Sequence, residues 1–260
     1  MKTAVVICPG RGTYTKTELG TLARSFTDRA LLARFDARRQ DLGQESLTAL
    51  DGASSYSVAK HSRGDNASAL IYAATLADFR ALQGVEVVAV TGNSMGWYSA
   101  LACAAALSAE AGFEVVNTMG SLMQAHLIGG QTLYPFVGED WRPDAARKAE
   151  LLALVARIDG QAGQVLGLSI DLGGMLVLAG NEAGLKAFEA AVPPLQGRFP
   201  LRLANHAGFH TALQAPVAAL GRAALSADLF DQPQLPLIDG RGHIWWPGAT
   251  DRGALWEYTL

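Results

Sequence analysis

Short runs of β-branched residues alternate along this chain with Ala- and Leu-rich stretches of helical length, and that alternation leaves few folds open. Strands buried in a mostly parallel sheet need crossover helices between them, so the pattern predicts an α/β protein. Val5-Val6-Ile7 reads as a first strand, Glu18 to Leu32 and Asn66 to Leu82 as helices, and Val85 to Val90 as a second strand. Both strands end in glycine turns. Gly96 to Leu107 has the composition of a buried helix, and Ala111 to Leu127 continues as another, with Phe113, Val116, Met119, Leu122 and Met123 at helical spacing. From Gln131 the texture changes. Thr132 to Val137 reads as a strand, Arg142 to Arg157 as a charged amphipathic helix, Val165 to Ile170 and Met175 to Leu178 as paired strands, Glu182 to Ala191 as a helix and Phe199 to Leu203 as a strand. This β-α-β-β-α-β order is the split βαβ, ferredoxin-like motif. It predicts a small subdomain at 129–203 inserted into a larger domain made of 1–128 and 204–260, to which a helix over Gln214 to Leu225 and a strand over Leu235 to Ile238 return.

With 260 residues, 50% hydrophobic and 17% charged, the chain has the size and apolar content to bury a large core. Its formal net charge of -3 supplies no global basic field for nucleic acid or an anionic bilayer, so neither is an expected partner. The two cysteines, Cys8 and Cys103, are too few for a disulfide framework and point to a reducing, cytoplasmic setting. Ala4 to Ile7 runs into a Pro-Gly turn too soon to be the core of a secretory leader. Val87 to Ala109 carries no charge, but Thr91-Gly92-Asn93-Ser94 divides it into a strand and a helix, so no membrane span is expected.

The most informative local sequence is Gly92-Asn93-Ser94-Met95-Gly96, between a strand and a small-residue helix. In a nucleophile elbow the glycines permit close packing and a strained turn that pushes the serine hydroxyl out at the helix start. There the dipole and free N–H groups favour developing negative charge. The competing structural role is a tight glycine turn whose serine caps the helix. A serine also needs a base, and the chain offers His61, His126, His206, His210 and His243. His61 lies in the polar run His61-Ser62-Arg63-Gly64-Asp65 and reads as a solvated loop residue; His126 ends a helix, and His243 reads as an exposed turn residue beside Trp245 and Trp246. His206 and His210 follow the strand Phe199 to Leu203, in a loop where α/β folds place catalytic groups, and periodicity does not choose between them.

Three ordered blocks carry a family resemblance. Cys8-Pro9-Gly10-Arg11-Gly12, the run Gly92-Asn93-Ser94-Met95-Gly96-Trp97-Tyr98-Ser99-Ala100-Leu101, and Gly208-Phe209-His210-Thr211-Ala212-Leu213 resemble blocks of the malonyl-CoA:acyl-carrier-protein acyltransferase family. Asn66-Ala67-Ser68-Ala69-Leu70 and Gly174-Met175-Leu176-Val177-Leu178-Ala179-Gly180 are weaker matches in the right order, so the resemblance spans nearly the whole chain. It implies an α/β-hydrolase-like core with a parallel sheet plus an inserted ferredoxin-like small subdomain. It also implies Ser94 as nucleophile, His210 as general base and acid, and main-chain N–H groups of Arg11 and Met95 as the oxyanion hole. Asn93, Met119 and Asn66 would face substrate, and Tyr258 matches the backbone carbonyl that holds the histidine, so no acidic third member is required.

The departures qualify the implied activity. Arg11 stands for the family's glutamine, Asn93 for the histidine before the nucleophile, and Met119 for the helix arginine that pairs with the malonyl carboxylate. The ordinary role for Met119 is helix core, and for Arg11 an exposed loop cation. The resembled family continues through a further strand and a Gly-Pro-Gly turn, whereas this chain stops at Leu260, so the expectation is either an abbreviated terminus or a divergence that costs activity. The leading expectation is therefore an acyltransferase of fatty acid or polyketide biosynthesis. It would move an acyl group from an acyl-CoA thioester through acyl-Ser94 to the phosphopantetheine thiol of an acyl carrier protein, with altered donor specificity. Alternatives are a thioester hydrolase using the same pair, a patatin-like Ser-Asp lipase with Asp239 as base, or an inactive partner subunit. No dinucleotide fingerprint, Walker loop, His-X-X-X-His helix or Cys pair is present, so no cofactor and no metal is expected.

Overall fold

The computed structural model describes residues 1–260. In chain order, β1 (Lys2–Cys8) is followed by α1 (Thr21–Ser25), α2 (Arg29–Asp41), α3 (Leu47–Asp51), α4 (Val58–His61) and α5 (Gly64–Arg80). β2 (Val85–Gly92) leads into α6 (Met95–Cys103), and α7 (Ala109–Ala125) follows. Then come β3 (Gly130–Pro135), α8 (Ala145–Asp159), β4 (Leu166–Asp171), β5 (Met175–Gly180), α9 (Glu182–Ala191) and β6 (Leu201–Arg202). α10 (Ala215–Ala224), β7 (Leu237–Ile238), β8 (Ile244–Trp245) and α11 (Arg252–Thr259) complete the chain.

Two compact units result, Met1–Gln124 with Ala219–Leu260, and Ala125–Ala218. The second unit is wider than the 129–203 expected from sequence. The chain beyond β6 stays hydrogen-bonded to the β3 region, with Leu203 N–H on the Gln131 carbonyl at 3.0 Å and Gly208 N–H on the Ile128 carbonyl at 2.7 Å.

The first unit holds a sheet in the order β1-β2-β7-β8. β1 runs parallel to β2 from Lys2 opposite Val85 to Cys8 opposite Gly92, β7 is parallel to β2, and β8 is antiparallel to β7. This is the expected α/β core with a parallel sheet. β1 is its edge strand, and Val5 and Ile7 are exposed there rather than buried on both faces. Its core centres on Phe35, stacked on Phe113 at 4.1 Å, with Tyr72 tilted against both. The continuous helix expected over Glu18 to Leu32 is two helices, because Phe26 leaves the helical region and the Asp28 carboxylate accepts from Leu31 N–H at 3.0 Å to start α2. α1 is held from a distance: the buried Asp51 carboxylate accepts from Leu22 N–H, Ala23 N–H and the Tyr14 hydroxyl. Cys8 and Cys103 are buried free thiols with sulfurs 3.9 Å apart, and the Cys8 thiol together with burial drives the Cys103 pKa far up.

The second unit holds an antiparallel sheet in the order β4-β5-β3-β6. With α8 between β3 and β4 and α9 between β5 and β6, this is the split βαβ arrangement. Its core gathers Tyr134, Phe136, Leu176, Leu178, Leu185 and Phe188.

Candidate active site

The turn from β2 to α6 is strained at one residue. Ser94 has φ 56° and ψ -129°, a region that non-glycine residues rarely occupy and that recurs at functional turns. Both flanking glycines are compulsory. A Cβ on Gly92 would lie 2.2 Å from the Gly96 carbonyl oxygen, and one on Gly96 would lie 2.4 Å from the Cys8 carbonyl oxygen. The end of β1 therefore packs directly on the first turn of α6, whereas a Cβ on Gly10 would meet the Asn93 carbonyl oxygen at an ordinary 3.5 Å. Asn93 turns its side chain back to accept from Ser94 N–H at 2.9 Å. Gly96 N–H and Trp97 N–H bond the Asn93 and Ser94 carbonyls, each at 3.0 Å. Met95 N–H belongs to the set that a helix start leaves without an intrahelical acceptor. Trp97 anchors α6 by donating its indole N–H to the Thr259 hydroxyl at 3.0 Å.

Arg11 is not the exposed cation of the ordinary reading. It is half-buried, its guanidinium donates to the Ser62 carbonyl at 3.0 Å, and desolvation lowers its pKa against the opposing charge of Asp65. Met119 is buried in the core, its sulfur so close to Gly221 that a Cβ there would sit 2.6 Å away. Asn66 is also buried, its carbonyl oxygen accepting from Arg39 at 2.6 Å and its amide donating to the Lys60 carbonyl at 3.0 Å. Arg39, which sequence reasoning did not single out, is fully buried and donates further to Asn117 and to the carbonyls of Asp65 and Glu45. Desolvation lowers its pKa, opposed by the charges of Asp65, Asp36 and Glu45. Its partners are neutral acceptors distant in sequence, so no local motif announces it.

The histidines separate by environment. His61 is buried rather than solvated: its ring stacks on Tyr56 at 4.9 Å, Nε2 donates to the Leu50 carbonyl, and Nδ1 accepts from Ser57 N–H. His126 and His243 are exposed, the latter edge-on to Trp245. His206, in the second unit, bonds Gln131 Oε1 through Nδ1 at 2.8 Å. His210, in the same unit, has φ 58° and is exposed at the surface, while the desolvation it does undergo lowers its pKa. Tyr258 lies in α11, its ring edge-on to Trp97 and under the Arg241 guanidinium at 4.0 Å, and its hydroxyl accepts from Gly240 N–H. Asp239 is buried in a ring of donors: the Arg241 guanidinium, the N–H groups of Arg241 and His243, and the Trp245 indole. Desolvation pushes its pKa up, but these hydrogen bonds and the Arg241 charge outweigh it and the net shift is downward.

No helix is long and apolar enough to cross a membrane. No family model matches the chain. Over 156 residues, 60% of its length, it is 31% identical to a non-reducing polyketide synthase of Cercospora nicotianae, and it spans only 7% of that relative. Solved structures similar over its whole length include a malonyl-CoA:acyl carrier protein transacylase of Xanthomonas oryzae pv. oryzae, at TM-score 0.74, 25% identity and 80% coverage of that chain. Another is a malonyl-transacylase in complex with its type II polyketide synthase acyl-carrier protein, at TM-score 0.74, 22% identity and 80% coverage of that chain. Over its whole length the chain is thus similar to malonyl-CoA:acyl carrier protein transacylases and shares their fold.

Proposed function

We propose that this chain is an acyltransferase of fatty acid or polyketide biosynthesis, acting in the cytoplasm, that moves an acyl group from an acyl-CoA thioester through an ester on Ser94 to the phosphopantetheine thiol of an acyl carrier protein. The observation that carries the reading is the strained Ser94 between two glycines that admit no side chain, at the start of α6. In the first half-reaction Ser94 Oγ attacks the thioester carbonyl while His210 takes the hydroxyl proton. The N–H groups of Arg11 and Met95 receive the oxyanion, and collapse breaks the C–S bond, with the proton passing to the departing CoA thiolate. In the second half-reaction the carrier thiol gives its proton to His210 and attacks the ester, and the proton returns to Ser94 as the acyl group leaves. A lowered imidazole pKa suits this role, because the ring stays unprotonated and ready to accept. The reaction so written calls for no metal and no cofactor, since CoA and phosphopantetheine enter as substrates.

The favoured donor is neutral, acetyl or longer, because buried Met119 offers a carboxylate neither charge nor donor. A Ser-Asp lipase is disfavoured by Asp239, whose oxygens are saturated by donors and whose lowered pKa makes it a weak base. The deciding measurement is the intact mass of the protein after mixing with a panel of acyl-CoAs. An acyl adduct on wild type that is absent from Ser94→Ala is expected, and an unchanged mass, or equal labelling of Ser94→Ala, overturns the reading. Release of free acid without passage to a carrier thiol would assign a hydrolase instead.

A further inference from the structure

The base assigned to His210 rests on a loop whose conformation is itself unusual. His210 takes φ 58°, a left-handed backbone that few non-glycine residues adopt, so neighbouring groups must hold the peptide entering it. That peptide's carbonyl belongs to Phe209. It accepts from Ser169 Oγ at 2.9 Å and, at a longer 3.5 Å, from Gln131 Nε2. Gln131 Nε2 also donates to Ser169 Oγ at 2.8 Å, so the two side chains form one relay ending on the carbonyl. The Phe209 carbonyl can only accept, which fixes the Gln131 amide with its oxygen turned away, and that oxygen takes Nδ1–H of His206 at 2.8 Å. Gln131 is buried at 2% exposure, where an amide is kept only if its bonds are made.

A second observation is independent of these distances. The pairing of β4 with β5 shifts between Leu168 and Ile170, leaving Ser169 as the extra residue of a bulge. Bulges re-aim a side chain out of the regular alternation and recur beside active sites. Ser169 spends that displacement on the Phe209 carbonyl. We propose that Gln131 and Ser169 are positioning residues for His210, locking the Phe209–His210 peptide so that the imidazole is delivered in one orientation, with His206 bracing Gln131 from behind. The inference rests on the reading of His210 as the base.

The test compares full-length Ser169→Ala, Ser169→Thr and Gln131→Met with wild type and His210→Ala. Each is checked for folding by thermal melt, then followed by the rate of acyl-enzyme formation against pH and by the imidazole titration of His210 in NMR, assigned by its loss from His210→Ala. Ser169→Ala and Gln131→Met should slow acylation on the order of ten-fold, as expected for one hydrogen bond. Donor half-saturation should change by less than about two-fold, since the loss falls on the chemical step. Both variants should move the His210 titration up toward the ordinary histidine value, because a loosened loop rehydrates the ring. Ser169→Thr, which keeps the hydroxyl, should restore rate and titration. Folded variants with wild-type rate and titration overturn the proposal, as does a slower rate with an unmoved titration. If Gln131→Met does not fold, the Ser169→Ala and Ser169→Thr pair decides. If His210→Ala acylates at the wild-type rate, the base assignment fails instead, while the titration still reports whether the relay holds the loop.

Discussion

A hydroxyl acts as a nucleophile only where backbone and field both aim it, and for the nucleophile proposed at Ser94 both would follow from residues next to it in the chain. That is why the turn was legible: five adjacent residues contain the glycines, the strain and the helix start. Arg39, Asp51 and Gln131 were not legible, because each is defined by partners brought from other elements. His61 was misread for the same reason, since its polar neighbours conceal a short helix that turns the ring inward onto Tyr56. Two predictions belong at this scale. Asp239→Asn should still form acyl-enzyme but lose stability by about 1–3 kcal/mol, because an amide nitrogen would face the donors the carboxylate now accepts from. Since the folded-state pKa of Asp239 lies below the unfolded one, its contribution is present above the ordinary aspartate value and fades as pH falls through the folded value. The stability gap between wild type and Asp239→Asn in urea melts should accordingly narrow in acid. A lack of acyl-enzyme in the folded variant would point to an aspartate base. The second prediction concerns the donor. Wild type should prefer acetyl-CoA to malonyl-CoA, since a missing charged partner costs about 3–5 kcal/mol, roughly hundreds- to thousands-fold in selectivity. Arg11→Gln should leave neutral-donor acylation largely intact. A wide malonyl preference that Arg11→Gln abolishes would instead make half-buried Arg11 the cation for the carboxylate.

At the scale of elements, those with clear stop signals were read close to where they lie, as β2 between glycines and α9 between its Asn181 cap and Pro193 show. The stretch from residue 18 to 61 was not, because α1, α3 and α4 are too short to display a hydrophobic period. α1 owes its start to a carboxylate at Asp51, and no window of sequence contains both ends of that contact. The elbow makes the opposite case, an element junction whose geometry is written in its glycines. Gly96→Ala should force β1 and α6 apart, since the new Cβ would meet a backbone carbonyl at 2.4 Å rather than a side chain that can swing away. Overpacking of this kind costs about 1–3 kcal/mol or more, and acylation should fall further than stability because Arg11 follows Cys8 by three residues in the displaced loop. Gly160→Ala is the matched control, with its nearest neighbour at an ordinary 3.5 Å, and should change neither quantity appreciably. Equal effects of the two substitutions on acylation would remove the elbow's claim to be the reacting junction.

For the molecule as a whole, alternating patterns sufficed for the class of fold and for the β-α-β-β-α-β order of the second unit, but not for the sheet order β1-β2-β7-β8. β7 has two residues and pairs with a strand 147 positions earlier, through Ile238 and Thr91, a contact no local period encodes. The same limit set the width of the second unit, whose final stretch is held by hydrogen bonds to residues near 128–131 and carries little periodicity of its own. The buried apolar residues nonetheless sort into separate clusters, one around Phe35 and Phe113 and one around Tyr134 and Phe188. Truncating either centre removes a buried ring. Phe113→Ala takes away the stacked partner of Phe35 and Phe188→Ala the edge-on partner of Tyr134, each at about 3–5 kcal/mol. Hydrogen exchange read by mass spectrometry should then show Phe113→Ala loosening Met1–Gln124 with Ala219–Leu260, and Phe188→Ala loosening Ala125–Ala218. Acylation should decline in both variants, through Ser94 in the first and through His210 in the second. Exchange that rises equally across both units in either variant would show one cooperative core, and acylation untouched by Phe188→Ala would take the proposed base out of the second unit.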